Sequence, residues 1–182
     1  MLRLSYTLLR LWHQQRLDEV LSYYTKRETI TTPEMVIGSG WDHLVNESVK
    51  KNNCLPDEFG GLKLNKPSVQ QKLEIKLDDE TELVGVPDII DTGDEIVYEI
   101  KTGVTPANTF LSSKQIEIYA LLCQLKQITI RQIRVFRYNP YQRKYDWAMR
   151  WNTDNLACEA HDYIFDVAPD IRKYLTENEV KV

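Results

Sequence analysis

The chain has 182 residues and a net charge of −4, with 42% hydrophobic and 27% charged residues, which is typical of one soluble globular domain over residues 1–182. No apolar run is long enough to span a membrane, and the leucine-rich start lacks a small-residue cleavage site. The three cysteines are far apart, which argues against a disulfide framework and a zinc knuckle. We therefore expect a protein of the reducing cytoplasm.

Two helices are predicted in the first third of the chain. Apolar residues recur at helical spacing between Leu17 and Tyr24, which predicts a first helix from near Ser5 to Thr25. Thr32-Pro33-Glu34 combines a capping residue with proline at the first helical position. A second helix is therefore predicted from this point to about residue 52, followed by a loop rich in glycine and proline.

The middle of the chain changes to the period of β-strands. Residues 69–77, 82–91 and 95–102 are predicted as three strands, and Asp91-Thr92-Gly93-Asp94 as a tight turn between the last two. Ser112-Ser113-Lys114-Gln115 has the spacing of a capping box and predicts the start of a helix that ends near residue 125.

A second strand pair and a final helix complete the pattern. Residues 130–138 and 143–151 are predicted as strands, and alternation along the last one places Tyr145, Trp147, Met149 and Trp151 on one face. The final helix is expected over residues 153–175, with a break near Pro169. The order of elements predicts an α/β fold with a central mixed sheet of about five strands flanked by helices.

The segment from Lys126 to Arg150 is locally basic, with seven Lys or Arg residues against the single acid Asp146. A local basic patch can bind phosphates even when the whole chain is acidic. Arg134 and Arg137 are therefore candidate nucleic-acid-binding residues. The alternative is a strand pair with solvated charged faces, and composition alone does not decide between the two.

Charged side chains interrupt two neighbouring predicted strands. Glu99 and Lys101 point to the same face, because alternate residues of a strand do so. Asp88 lies near the end of the preceding strand, one hairpin away, and neighbouring strands are only about 5 Å apart. We therefore expect the carboxylates of Asp88 and Glu99 to be close enough to share one cation.

Such a pair of carboxylates indicates a particular chemistry. The two groups repel each other unless a positive charge lies between them, and a hard divalent ion such as Mg²⁺ or Mn²⁺ prefers oxygen ligands. A bound metal activates water and clamps a phosphate oxygen, while Lys101 orients that water or neutralises the phosphate. The pattern thus predicts metal-dependent phosphodiester cleavage, with charged residues of purely structural role as the alternative.

Four motifs, in this order, resemble those of the PD-(D/E)xK nuclease superfamily and, within it, of the RecB-like branch that includes the CRISPR-associated adaptation exonucleases. The resemblance runs from Ser5 to Tyr119 and implies a restriction-endonuclease-like core. The motifs are Leu4-Ser5-Tyr6-Thr7, Gly38-Ser39-Gly40-Trp41-Asp42-His43, Gly85-Val86-Pro87-Asp88 with Glu99-Ile100-Lys101, and Gln115-Ile116-Glu117-Ile118-Tyr119.

The resemblance also implies a role for each matching residue. Lys101 would be the catalytic lysine, and Gln115 and Tyr119, one helical turn apart, would line the site and hold the nucleic acid. The implied metal ligands are His43, Asp88, Glu99 and the main-chain carbonyl of Ile100.

Several of these residues keep a structural alternative. Gln115 occupies the capping-box position, and His43 would serve equally as a partly buried helix histidine. Glu47, on the same helix face as His43, and Glu74, on the first predicted strand, are candidates for an outer shell around the site. Asp91 is better explained as a turn residue.

The resemblance leads us to expect a metal-dependent DNA exonuclease that acts on single strands or DNA ends, inside a bacterial cell or a phage- or virus-infected one. Related adaptation exonucleases hold an iron–sulfur cluster with four cysteines, and this chain, with three, is expected to hold none. Two alternatives stay open: an RNA endonuclease of the cap-snatching type, and a catalytically silent nucleic-acid-binding module. Beside DNA, the expected partners are a helicase or another recombination or repair subunit.

Overall fold

The computed structural model describes residues 1–25 and 32–180, without the side chains of residues 34 and 154. Two short 3-10 helices, Asp57–Phe59 and Ala107–Ser112, accompany the main elements. In chain order, these are β1 (Leu2–Ser5), α1 (Tyr6–His13), α2 (Leu17–Thr25), α3 (Pro33–Asn52), β2 (Pro67–Val69), β3 (Leu73–Lys76), β4 (Thr81–Gly85), β5 (Ile89–Asp91), β6 (Ile96–Thr102), α4 (Lys114–Leu125), β7 (Gln132–Asn139), β8 (Lys144–Trp151) and α5 (Asp154–Glu177).

The described strands form two sheets. The larger sheet has five strands in the order β2-β5-β6-β7-β8, with β6 parallel to β7 and the other neighbours antiparallel. The smaller sheet has the order β1-β4-β3, with β1 parallel to β4. The predicted α/β fold with a mixed sheet of five strands flanked by helices is thus confirmed, while the smaller sheet was not predicted.

Two of the predicted strands were wrong, because each is divided between the two sheets. The strand predicted over residues 69–77 is broken at Gln70, whose φ of 48° is left-handed and cannot continue a strand. The strand predicted over residues 82–91 is broken at Val86 and Pro87, where the chain leaves β4 and enters β5. Asp88 therefore lies at the crossing from the smaller sheet to the larger one.

The helical predictions also need correction at both ends of the chain. The first predicted helix is divided into α1 and α2, because Gln15, with a φ of 58°, interrupts it, and the strand β1 before it was not predicted. Helix α5 is continuous through Pro169, so the predicted break is absent. The second predicted helix is confirmed as α3, where the side chain of Thr32 accepts a hydrogen bond of 3.3 Å from the N–H of Met35.

Hydrophobic cores lie on both faces of the larger sheet. Val97 belongs to the core beneath α1, α2, α4 and α5, whereas its neighbour Tyr98 belongs to a second core beneath α3. Since alternate residues of β6 face opposite cores, both sides of this strand are covered. None of the described helices combines the length and the apolar character that a membrane span needs.

Asp91 fixes the turn that joins β5 to β6. Its buried carboxylate accepts four backbone N–H bonds, from Asn65 at 2.7 Å, Lys66 at 2.8 Å, Gly93 at 3.0 Å and Asp94 at 3.3 Å. The first two donors lie in the segment before β2, so one side chain ties this segment to the hairpin. The expectation that Asp91 is a turn residue agrees with this geometry.

We predict that Asp91→Ala lowers the free energy of unfolding by about 3 kcal/mol or more, since it leaves buried N–H groups without an acceptor. Asp94→Ala is the matched control, because that carboxylate is exposed and its loss should cost no more than about 0.5 kcal/mol. Urea unfolding measures both variants. Equal losses in the two would show that the four bonds do not hold the turn.

Candidate active site

Antiparallel pairing of β5 with β6 brings Asp88 beside the middle of β6. Ile89 lies opposite Tyr98 in the register, so the residue before β5 reaches the level of Glu99 and Ile100. There the Asp88 Oδ2 atom accepts a hydrogen bond of 2.7 Å from the N–H of Ile100. The backbone of β6 therefore orients the carboxylate at the crossing between the sheets.

Glu99 and Lys101 form a partly buried ion pair on one face of β6. The Lys101 Nζ atom lies 2.6 Å from Glu99 Oε1, and Glu99 is only 3% exposed. The ammonium also lies 5.8 Å from the centre of the Phe110 ring, which adds a cation–π contact. A lysine held in this way presents its positive charge at a fixed place.

Helix α4 supplies two further polar side chains to the same group. Gln115 Nε2 donates to Glu99 Oε1 at 2.8 Å and to the Tyr119 hydroxyl at 2.8 Å, while Gln115 Oε1 accepts from Lys101 at 3.1 Å. The Tyr119 hydroxyl in turn donates to the carbonyl of Val86 at 3.2 Å. The alternative of a capping role for Gln115 fails, because its side chain is used inside the site.

Burial and like charge dominate the electrostatics of the site. Burial, and then the carboxylate of Glu99, raise the pKa of Asp88 well above its usual range. Burial lowers the pKa of Lys101, but the carboxylates of Glu99 and Asp88 outweigh it and raise this pKa overall. The pKa of Tyr119 is raised well above its usual range, first by burial and then by the two carboxylates. Lys101 is therefore a stable ammonium, suited to charge neutralisation rather than to proton abstraction.

The second oxygen of Glu99 tests whether these residues fit a metal ion. Glu99 Oε2 is buried and has no hydrogen-bond partner in the described part of the chain. A buried carboxylate oxygen without a donor is costly, and ionisation of the neighbouring Asp88 would add a second negative charge. A hard divalent cation would compensate the unpaired oxygen of Glu99 and the carboxylate of Asp88, so the chemistry of these residues fits such an ion.

The site does not supply a full set of protein ligands. No group of three His, Cys, Asp or Glu side chains lies close enough to hold a metal within residues 1–25 and 32–180. This is compatible with Mg²⁺ or Mn²⁺, since Mg²⁺ keeps several waters and is often bound by one or two carboxylates together with substrate phosphates.

Asp42, rather than its neighbour His43, faces this site from helix α3. Asp42 lines a narrow cleft together with Asn46, Gln70, Asp88 and Ile100. Burial raises the pKa of the Asp42 carboxyl, and the nearby charge of Lys101 opposes this. Sequence reasoning missed Asp42. Val45 and Val49 follow it at helical spacing, and these apolar residues mark the face of α3 that packs on the sheet.

The predicted ligand His43 is not brought to the group, since its side chain is exposed on α3. The outer-shell candidates are also elsewhere: Glu47 pairs with Lys51 at 3.0 Å on the surface, and Glu74 pairs with Arg3 at 3.4 Å in the smaller sheet.

The two predicted nucleic-acid-binding arginines lie apart from each other. Arg137 is nearly buried next to Lys101 in the register, and its Nε atom forms an ion pair of 2.5 Å with Asp146. Its guanidinium is therefore neutralised inside the protein by this ion pair. Arg134 pairs with Tyr98 in the register, so it lies on the opposite face of the sheet from Glu99.

Comparison with solved structures identifies the fold. A crystal structure of an alkaline exonuclease from Laribacter hongkongensis aligns with a TM-score of 0.53 and 12% sequence identity, over 97% of this chain and 93% of that one. A second structure of that enzyme, in complex with dAMP, aligns with a TM-score of 0.50, 12% identity and the same coverage. A third structure, of a protein named SSO0001, has a TM-score of 0.50 and 15% identity, over 91% of this chain and 76% of that one.

The chain has the fold of the alkaline exonuclease structures. At such low identity the likeness concerns the fold alone. No protein-family model matches the sequence, and no curated protein does.

Gly85, at the end of β4, lets helix α4 approach the crossing between the sheets. A Cβ atom on Gly85 would lie 2.5 Å from Leu122 Cδ1 and 3.4 Å from Tyr119 Cε1. Any side chain here must therefore displace the Leu122 side chain or move α4 outward, together with Gln115 and Tyr119.

We predict that Gly85→Ala lowers the free energy of unfolding by about 1–3 kcal/mol, because it overpacks this contact. Gly40→Ala, in helix α3, is the matched control: a Cβ there meets nothing within 4 Å, and alanine should stabilise the helix by about 0.5–1 kcal/mol. Urea unfolding of both variants tests this, and a Gly85→Ala variant as stable as Gly40→Ala would contradict it.

Proposed function

We propose that this protein is a metal-dependent DNA nuclease whose centre is built from Asp88, Glu99 and Lys101. The observation that carries the proposal is the buried Glu99 carboxylate, which has one oxygen held by Lys101 and Gln115 and the other without a partner. Buried carboxylate oxygens in proteins normally have a hydrogen-bond partner. The oxygen without a partner, together with the neighbouring carboxyl of Asp88, supports a bound cation.

Asp88, Glu99 and the main-chain carbonyl of Ile100 are the groups that would hold Mg²⁺ or Mn²⁺, with Asp42 in reach of the same cleft. A bound divalent ion lowers the pKa of a water and neutralises phosphate oxygens during phosphodiester hydrolysis. His43, which the resemblance implies as a ligand, has no support from its exposed position on α3.

Lys101 supplies a fixed positive charge in this proposal. As charge builds on the phosphate oxygens during attack by water, an ammonium already in place lowers the barrier without further reorganisation. Glu99 and Gln115 hold the ammonium from two sides, at 2.6 and 3.1 Å. Its raised pKa keeps it charged at neutral pH, so its role is to neutralise the phosphate and to orient the water by donating to it.

Gln115 and Tyr119 act on the geometry of the centre. Gln115 contacts Glu99, Lys101 and Tyr119 at once, and Tyr119 connects the group to the Val86 carbonyl at the crossing. This network fixes the distance between helix α4 and the two strands. The Gln-x-x-x-Tyr motif in this position supports assignment to the PD-(D/E)xK superfamily and its RecB-like branch.

DNA is the substrate that we infer, and exonuclease action on single strands or DNA ends is the mode. An alkaline exonuclease of the same fold forms a complex with dAMP, a deoxynucleotide, which supports DNA over RNA. A role in recombination or repair, alone or beside a helicase subunit, belongs to the same proposal.

We predict that the protein cuts end-labelled linear DNA with Mg²⁺ or Mn²⁺ and not with EDTA. Lys101→Ala and Asp88→Asn should each lower the rate by about 100-fold or more, since the first removes the positive charge at the reacting phosphate and the second removes a ligand of the cation. Lys51→Ala, which changes a surface lysine paired with Glu47, is the control.

The substrate panel contains single-stranded and duplex linear DNA, circular DNA and RNA. Cutting of circles would contradict the exonuclease mode, and preferential cutting of RNA would favour the cap-snatching alternative. If no substrate is cut, or if the two variants cut as fast as Lys51→Ala, the chain is not the enzyme proposed.

We predict that Asp42→Asn weakens Mn²⁺ binding by about 10-fold or more, whereas His43→Asn leaves it unchanged. Asp88→Asn should abolish binding and, in EDTA, leave the protein at least as stable as the parent, because it removes one of two repelling carboxylates. Titration calorimetry measures the affinity and urea unfolding the stability. Weaker binding in His43→Asn but not in Asp42→Asn would reverse our assignment of these two neighbours.

A further inference from the structure

One face of the edge strand β8 carries large apolar side chains in the open. Trp147, Met149 and Trp151 occupy alternate positions on the same face, and they are 53%, 38% and 56% exposed. Single exposed apolar residues are common on monomers, but a continuous row that includes two indoles marks an interaction surface. These three residues and Arg134 of β7 are called the aromatic platform below.

Arg134 gives the platform a positive charge. It pairs with Met149 in the register, and its guanidinium carbon lies 5.8 Å from the centre of the Trp147 ring and 5.9 Å from that of Tyr98. Gln132 Oε1 accepts from its Nε at 3.0 Å and from its Nη2 at 2.8 Å. Among the described residues no carboxylate forms an ion pair with Arg134, so its charge is available to a ligand.

The surroundings of the platform favour an anionic ligand. Asp146 is the acid of β8, and it points to the other face of the sheet, where Arg137 neutralises it. Lys144, the first residue of β8, is exposed but alternates with Tyr145 and therefore lies on that other face as well. In β7 and β8, Arg134 is thus the charged residue on the platform face, and no carboxylate of the described residues neutralises it.

Tyr145, the next residue in the apolar row, is excluded from the platform. Its ring packs on the turn at Gly60, where an added Cβ would lie 2.7 Å from the tyrosine hydroxyl. That end of the row approaches the acidic 3-10 helix with Asp57 and Glu58, which would repel a phosphate.

We propose that the aromatic platform binds single-stranded nucleic acid, with bases stacked on Trp147 and Trp151 and Arg134 directed at the phosphate backbone. Indole rings accept any base by stacking, and a nearby cation adds the electrostatic part of the affinity. A symmetric dimer through the same face fits less well, because it would bury Arg134 against its own copy without a carboxylate to pair with.

The platform is a site separate from the catalytic group. Tyr98, next to Arg134, alternates with Glu99 along β6, so the platform and Glu99 lie on opposite faces of the sheet. A strand bound here is held at a distance from the cut. The inference rests on the proposed function, because that function makes nucleic acid the substrate. It adds a second surface that binds the substrate.

The test measures binding of fluorescein-labelled oligo(dT) to the full chain by fluorescence anisotropy, in EDTA so that no cutting occurs. We expect Kd to rise about 10-fold for Trp147→Leu and again for Trp151→Leu, the size of one base stacking on one ring. Arg134→Gln should reduce the slope of log affinity against log salt by about one. Phe165→Leu, an exposed aromatic on α5, is the control and should change nothing.

Two outcomes overturn the inference while leaving the proposed nuclease intact. In the first, the Trp147→Leu, Trp151→Leu double variant binds oligo(dT) as tightly as the parent, and the parent cuts DNA. The other concerns the oligomeric state, measured by light scattering. If the parent is an oligomer, and the double variant is a monomer that binds DNA as tightly as the parent, this face is an interface between copies. A parent that neither binds nor cuts any nucleic acid would instead overturn the proposed function and the platform with it.

Discussion

A buried carboxylate that is only half satisfied sets the constraints on this structure. Glu99 lies in the interior with one oxygen held by Lys101 and Gln115 and the other unpaired. Burial of a charge at this depth destabilises a protein unless partners of fixed geometry compensate it. Helix α4 must therefore stay close to β6, and Gly85 lets it do so. The fold accepts a local cost here that a cation would relieve.

The crossing between the two sheets provides the other half of the site. Because β4 and β5 belong to different sheets, the short connection through Pro87 is neither strand nor helix, and it leaves Asp88 free to turn its carboxylate toward Ile100. A continuous strand at this point would have directed alternate side chains into the two cores. The break at Val86 and Pro87, which made the strand prediction wrong, is thus the feature that positions a candidate catalytic acid.

Sequence reasoning reached the residues whose placement depends on local periodicity. The two-residue spacing puts Glu99 and Lys101 on one face of a strand, and the four-residue spacing puts Gln115 and Tyr119 on one face of a helix. The structure brings all four into one hydrogen-bond network. It failed where tertiary packing decides. The glycine-to-histidine motif drew attention to His43, but the phase of α3 on the sheet turns Asp42 inward instead.

The same limit explains the different fates of the two arginines of β7. Composition marks Arg134 and Arg137 alike as basic residues, yet they are three positions apart on a strand and so face opposite sides of the sheet. Arg137 falls beside Lys101 and is neutralised by Asp146, whereas Arg134 falls among indoles at the open edge. One face of this sheet thus buries its charges around the candidate active site, and the other exposes a cation on an apolar surface. A basic residue of this segment keeps its charge available only where the strand pair leaves its face uncovered.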